Sequence, residues 1–523
     1  MRNATTLSLA TAMLLALPVA APAADAARGE YSRSAALAAP AWRMPAYPQA
    51  RTTRVAYREL AIERLLKLQR DNAAPARKAT QIGLARRADL EARLGGDLAL
   101  RWVADGRGGA VARVELASPD ALGLRVGLRA TRMDDRVELR VGGSDAPAAP
   151  VAQIDGARMR RLVDAEGLYW TPATDGERQI LEFHRPAGVP ASAVRVGAPK
   201  LSHLVANSRN DFKIIEKVGE SGSCNVDTVC RVAELGQRFV DAKNAVAHMI
   251  FVRGGGTYIC TGTLLADTVP STQVPYFWSA NHCFAADTRV APVASQMQTV
   301  ANTLNTVWRY ETTGCRNLTS ATTTRLTGGA AYLYADHLTD AMLLRLNDAA
   351  PAGAYFSGWS AAPLAGSTEV FAIHHPQGDA KKVSSGQLLS SNPTGHTVGW
   401  LSGTTEGGSS GSGLFVRARS GEWELRGGLY GGDAACSNSG SLANALNQDH
   451  YSRLDVVFPQ VRQYLASEAV PMNGSAPLLP PGTPTAAPPA ASQPSLPAAS
   501  APTDARGGAR GVIRFRGLRL PLR

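Results

Sequence analysis

Apolar and polar residues alternate along this chain with different periods in different stretches, and the changes of period divide it. Over residues 52–70, Ile62, Leu65 and Leu66 fall on one face and charges elsewhere, the spacing of an amphipathic helix. From about residue 96 the period becomes two. Leu122, Leu124, Val126 and Leu128 alternate with small or charged residues, as do Val137, Leu139 and Val141. Tyr169-Trp170 and Ile180-Leu181-Glu182-Phe183 continue the pattern, so 96–200 is expected to form a small β-sandwich of half-buried strands. Residues 224–466 are also β-type. Short apolar segments at 247–252, 258–265, 342–346, 370–373 and 425–430 are separated by Gly, Asn, Ser and Thr turns. Only the end reads as helix, with Pro459 suited to a first turn and Val461, Tyr464 and Leu465 facing inward. The expected class is all-β.

The flanks carry different signals. Arg2 precedes an apolar run over 7–19, and small-residue sites follow at Ala21-Pro22-Ala23 and Ala24-Asp25-Ala26. Residues 1–26 are therefore expected to be a signal peptide, and the protein to be secreted. No later run is long and apolar enough to span a membrane. Residues 27–50 are rich in Ala, Pro and Arg, a composition expected to order poorly. Residues 471–505 read as an extended linker, since 10 prolines fall within 471–502. A basic tail, 506–523, alternates Arg with apolar residues. A dispensable extension is the expectation and contact with an anionic surface the alternative.

The formal charge of +12 invites a nucleic-acid reading until it is localised. Residues 218–470 carry 16 basic and 19 acidic side chains, or −3, whereas 1–217 carry 33 against 23 and 471–523 carry 6 against 1. The basic excess lies outside the cysteine-bearing region, so it is not that region's substrate signal, and no nucleic-acid partner is expected. All six cysteines lie between Cys224 and Cys436, an even set that implies three disulfides in an oxidising destination. Spacing leaves the pairing open, although Cys260 and Cys283, each beside an apolar strand, are natural partners. Paired C-x-x-C spacings are lacking, and Cys224-x5-Cys230 is the nearest approach, so no metal and no cofactor is expected.

Candidate chemistry gathers around Thr404-Thr405-Glu406-Gly407-Gly408-Ser409-Ser410-Gly411-Ser412-Gly413. A nucleophilic serine needs a protruding hydroxyl and converging backbone N–H groups, and glycines permit the tight backbone this requires. Ser410 is the candidate nucleophile, with the N–H groups of Gly408 and Ser410 as its oxyanion hole. Such a serine needs a base, and the base an orienting carboxylate. His282, in Ser279-Ala280-Asn281-His282-Cys283, is the candidate base. Asp340, at the mouth of the apolar segment 341–346, is the candidate carboxylate. Asp336 and Asp348 are its competitors, in turn-like polar surroundings.

These residues carry a resemblance. The order His282, Asp340, Ser410 resembles chymotrypsin-like serine proteases, and the closer likeness is to bacterial lysyl endopeptidases of the Achromobacter and Lysobacter type. It runs through Gly222-Ser223-Cys224-Asn225-Val226-Asp227, Ile373-His374-His375-Pro376, Glu406 to Ser412, and Asp449-His450-Tyr451-Ser452-Arg453. The resemblance implies two packed antiparallel β-barrels with the triad in the cleft between them. It implies disulfides Cys224–Cys436, Cys230–Cys315 and Cys260–Cys283. It also implies a specificity acid at Asp449, since Thr404 stands where trypsin-like enzymes carry theirs. In this reading Glu406 adds a second negative group, and Trp400 matches a tryptophan that lies beside the catalytic histidine. Tyr430 stands where the family has a subsite histidine, which weakens the expected preference for lysine over arginine.

The domain plan expected from this is a signal peptide, a propeptide of helix plus β-sandwich over 27–217, a protease over 218–470, then linker and tail. Lys217 stands where self-processing would release a chain beginning at Val218. The alternative is two domains joined by a linker. The expected activity is cleavage after lysine through an acyl-enzyme, with protein and peptide substrates, the chain's own propeptide as partner, and a monomeric state. Broader Lys/Arg cleavage is one rival. A catalytically silent binding protein on the same scaffold is the other.

Overall fold

The alternation over 110–204 builds two facing sheets. Strands Thr53–Ala56, Ala110–Ala117, Arg178–Arg185, Glu138–Gly143 and Ala152–Asp155 lie side by side in that order. Strands Gly123–Met133, Val194–Leu204 and Thr80–Arg87 form the other layer. Val114, Leu116, Leu124, Val126, Leu181, Phe183 and Val196 meet between the layers as one buried cluster, which is where period-two apolar positions must go. The computed structural model describes residues 25–73, 79–92, 94–208, 221–269, 271–317 and 319–466. Lys217, the linker, the basic tail and nearly all of the signal segment lie outside the described residues.

The helix expected over 52–70 runs from Ile62 to Asn72 and buries Leu65 and Leu68. The preceding residues are the strand Thr53–Ala56, parallel to Val114–Ala117. Buried Val55 stands there between exposed Arg54 and Ala56, itself a period of two.

After residue 221 two β-units follow. Val246–Arg253, Gly256–Leu265, Tyr276–Ala280, Asn305–Trp308, Thr324–Leu326, Ala330–Ala335 and Ala341–Leu346 make an open half-barrel. The other six, Glu369–His374, Lys382–Ser391, Gly395–Ser402, Gly413–Arg417, Trp423–Gly432 and Asp449–Ser452, close on themselves. Closure comes from Trp423–Gly432, which pairs with both Gly413–Arg417 and Asp449–Ser452. The architecture is the chymotrypsin-like one, with one barrel closed and one left open. Helices Thr228–Leu235, Gln237–Asn244 and Ala294–Ala301 interrupt a region expected to be strands and turns. The last helix spans Leu454–Leu465, so Pro459 lies inside it and not in its first turn.

The N-terminal sandwich is joined to the half-barrel backbone to backbone. Thr80–Arg87 pairs with Val194–Leu204 on one side and with Gly256–Leu265 on the other. Fully buried Arg125 of the sandwich donates to the carbonyls of Thr171 at 2.8 Å, Thr303 at 2.8 Å and Ile250 at 3.5 Å, the last two in the half-barrel. Ile82, Leu204 and Ala206 pack with Ile250, Ile259, Val307 and Tyr310 across the join. Three disulfides, Cys224–Cys436, Cys230–Cys315 and Cys260–Cys283, all lie beyond residue 221.

Candidate active site

His282 is fixed from three directions. The apolar strand Tyr276–Ala280 ends in the single helical turn Asn281–Phe284, which carries it. Its neighbour Cys283 is bonded to Cys260 on an adjacent strand. Arg253 Nη1 donates to the carbonyls of His282, Cys283 and Ala285 at 2.9, 3.1 and 2.7 Å, satisfying the acceptors that a helix end leaves open.

Asp340 precedes the strand Ala341–Leu346 with φ of 60°, a left-handed conformation that aspartate tolerates better than most residues. The turn lets its backbone carbonyl accept from Asn281 N–H at 2.9 Å. Its side chain reaches back as well. Oδ1 accepts from His282 N–H at 2.8 Å, and Oδ2 lies 2.6 Å from His282 Nδ1. Burial pushes the Asp340 carboxyl above its ordinary range, while its contacts with His282 pull against that shift.

On the other side of the imidazole, Nε2 lies 2.6 Å from Ser410 Oγ. Ser410 sits in the loop before Gly413–Arg417, so it comes from the closed barrel while His282 and Asp340 come from the open one. Two glycines permit its conformation, with φ of 89° at Gly408 and 79° at Gly411. A Cβ at Gly411 would stand 2.6 Å from Thr261 O, and one at Gly408 2.8 Å from His375 O. The loop is anchored by Thr261, whose N–H donates to Ser410 O at 2.8 Å and whose hydroxyl donates to Gly408 O at 2.9 Å. Ser409 Oγ meets His374 Nδ1 at 2.8 Å, and His374 Nε2 meets Ser384 Oγ at 3.0 Å. Among the described residues, neither Gly408 N–H nor Ser410 N–H is given to an acceptor. Two such groups beside a serine hydroxyl can receive a developing oxyanion.

Asp449, fully buried, lies at the start of strand Asp449–Ser452. Its Oδ2 accepts from Trp400 Nε1 at 2.7 Å and from Thr405 Oγ1 at 2.6 Å. Trp400 is also fully buried and packs edge-on against Tyr451. The ring against His282 is that of Tyr430, edge-on with centroids 5.9 Å apart and 45% exposed. The indole N–H of Trp400, the ring expected beside His282, goes to Asp449. Glu406, expected to add charge to the pocket, sends Oε2 to Gly222 N–H at 2.9 Å and Asn225 Nδ2 at 3.0 Å. It fastens the segment beside Cys224–Cys436. Sequence reasoning missed Arg253, Thr261 and Thr405, whose bonds join positions distant in the chain and leave no local signature.

Proteins whose two antiparallel barrels bring a hydroxyl, an imidazole and a buried carboxylate into one hydrogen-bonded line across their junction are serine endopeptidases, and this chain is one of them. Residues 56–205 match the lysyl endopeptidase N-terminal domain, and residues 218–452 match the lysyl endopeptidase C-terminal domain. The chain belongs to the lysyl endopeptidase family. It is 36% identical over 386 residues to a lysyl endopeptidase of Pseudomonas aeruginosa, an alignment covering 70% of this chain and 78% of that one. Solved structures similar to it include the protease Anisep from Arthrobacter nicotinovorans, at 17% identity and TM-score 0.29, covering 43% of this chain and 96% of the other. A thermostable serine protease AL20 from an extremophilic microorganism aligns at 13% identity and TM-score 0.29, covering 44% and 100%. At those scores the likeness adds nothing to the topology described above.

Proposed function

We propose that this is a secreted lysine-specific endopeptidase made as a zymogen, with residues 1–26 as signal peptide, 27–217 as propeptide and 218–470 as protease. Ser410 Oγ attacks the substrate carbonyl carbon as its proton passes to His282 Nε2. Asp340 orients the imidazole and stabilises its charged form. The N–H groups of Gly408 and Ser410 hold the oxyanion. The tetrahedral species collapses as His282 returns the proton to the leaving amine, which gives an acyl-serine. Water then releases the acid by the same sequence, with His282 again as base.

The observation that carries the lysine reading is Asp449, a fully buried acid whose Oδ2 is tied to Trp400 and Thr405. A substrate ammonium brought to such a group gains a charge-assisted bond that an uncharged side chain cannot make. The zymogen reading is supported by the strand shared between the two parts. It is also supported by Thr80, which lies where a side chain on Gly407, three residues before Ser410, would stand. Secretion is supported by the three disulfides. No described helix is long and apolar enough to cross a membrane.

Mass spectrometry of peptides from a mixed protein digest tests the reading. Cleavage after lysine is expected from the wild-type chain and none from Ser410→Ala. Equal cutting after arginine would replace lysine specificity with the broader alternative, and turnover by Ser410→Ala would remove the nucleophile assignment.

A further inference from the structure

The N-terminal arm of the chain is seated far along the sequence, on the protease body. Asp25 O accepts from Ala361 N–H at 2.8 Å, and Ala26–Ala27 pairs antiparallel with Ser360 and Trp359. Glu30–Tyr31 pairs antiparallel with Phe356 and Tyr355. Ser32 N–H donates to Ala354 O at 2.8 Å and its hydroxyl to Ala350 O at 2.9 Å. The side chains add specific bonds. Tyr31 Oη donates to Asp241 Oδ1 at 2.6 Å while its ring packs edge-on against Tyr355 at 5.0 Å. Gln273 grips the arm twice, donating to Tyr31 O and accepting from Arg33 N–H, both at 2.8 Å.

The groove is shaped for this segment. Gly358 has no side chain where Ala27 O passes, since a Cβ would stand 2.7 Å from it. Gly29 lies so close over the Tyr355 ring that any side chain there would enter it. Residues 34–41 then carry no helix or strand, and the next fixed point is Trp42 in the sandwich, whose Nε1 donates to Pro147 O at 2.8 Å. These partners of the arm include neither a triad residue nor Asp449, and the arm precedes the matched N-terminal domain of 56–205.

We propose that residues 27–33 are a separate anchor, an extended peptide occupying an edge-strand groove on the protease, which keeps the N-terminal domain attached after the chain is cut. This rests on the propeptide reading above. Backbone pairing along a strand edge is a general mode of peptide recognition. The arm and the sandwich pair with different strands of the same body and are joined by a stretch without helix or strand. Loss of one contact therefore leaves the other end held at high local concentration. The anchor from Ala27 onward survives removal of 1–26.

The test uses the full chain with Ser410→Ala and a site for an unrelated protease inserted between 209 and 217. After cutting, the release rate of the N-terminal fragment is measured with and without Gly29→Val, which blocks seating without altering either body. Release is expected to be roughly tenfold faster or more in the variant. A labelled synthetic peptide of residues 27–35 should bind the Gly29→Val chain and not the chain with its own arm in place. Tyr31→Ala, a truncation at a 42% exposed residue, repeats the comparison if Gly29→Val is poorly secreted. Equal release rates from wild-type and variant arms would overturn the proposal, as would a peptide that binds neither chain. Amino-terminal sequencing of the processed wild-type chain asks separately where 27–217 is severed, and its answer does not affect these rates.

Discussion

The indole of Trp400 donates to Asp449 at 2.7 Å, and both side chains are fully buried. With Thr405 as second donor, one oxygen of the acid is held in place from two sides. An acid already desolvated and oriented pairs with a cation more strongly than one on a flexible surface.

Asp449→Asn keeps the shape and removes the charge. For lysyl substrates kcat/KM should fall by about 3 kcal/mol, roughly a hundredfold or more, while hydrolysis of uncharged substrates is retained. Comparing lysyl with alanyl amide substrates in both proteins checks this. An unchanged ratio between the two would remove Asp449 from the specificity assignment.

Asp340→Asn isolates the role of the carboxylate, because asparagine also accepts the left-handed backbone that Asp340 adopts. Its kcat should drop by about four orders of magnitude. Thermal stability should change little. A large loss of melting temperature would instead mark Asp340 as chiefly structural.

Arg125→Met should loosen the union of sandwich and half-barrel. Three carbonyls, those of Thr171, Thr303 and Ile250, would lose their donor in a buried site, a loss of about 3 kcal/mol. Urea unfolding of Ser410→Ala chains with and without the change measures it.

Two buried histidines set a pH dependence of stability. Burial holds His248 down to about 3 and His375 well below its ordinary value, with Arg325 adding to the first shift and His248 and Lys381 to the second. Both stay neutral in the fold and become charged in the unfolded chain below about pH 6.5. The unfolded state then binds more protons, so stability is full above that pH and declines as pH falls. Each histidine should contribute about 1.4 kcal/mol per pH unit once well below that point. Urea midpoints at pH 7 and pH 5 should show the fall, and His248→Asn should remove about one proton's share. An unaltered slope would mean that His248 is charged in the fold.

What could be read from the chain depended on how local the signal was. The sandwich announced itself because Leu124, Val126 and Leu128 repeat every second residue. The triad positions stood out because each occupies a distinctive short motif. Arg125 shows where such reading stops: sitting between apolar neighbours, it reads as the solvent side of a strand, yet that face is covered by the half-barrel. Helices Thr228–Leu235 and Gln237–Asn244 escaped notice for a related reason. Each is only eight residues long, and Gly236 with φ of 75° breaks the pattern between them. The open half-barrel was likewise illegible, since closure depends on which strand edges meet and not on the composition of any strand.

Gly432 adjoins Asp449 so closely that a methyl group there would lie 2.5 Å from Oδ1. The same methyl would stand 2.2 Å from Gln448 O, so any side chain there would force apart the pairing of Gly432 with Asp449. The bareness of this one position is thus what lets two neighbouring backbones run close enough to set where the acid stands.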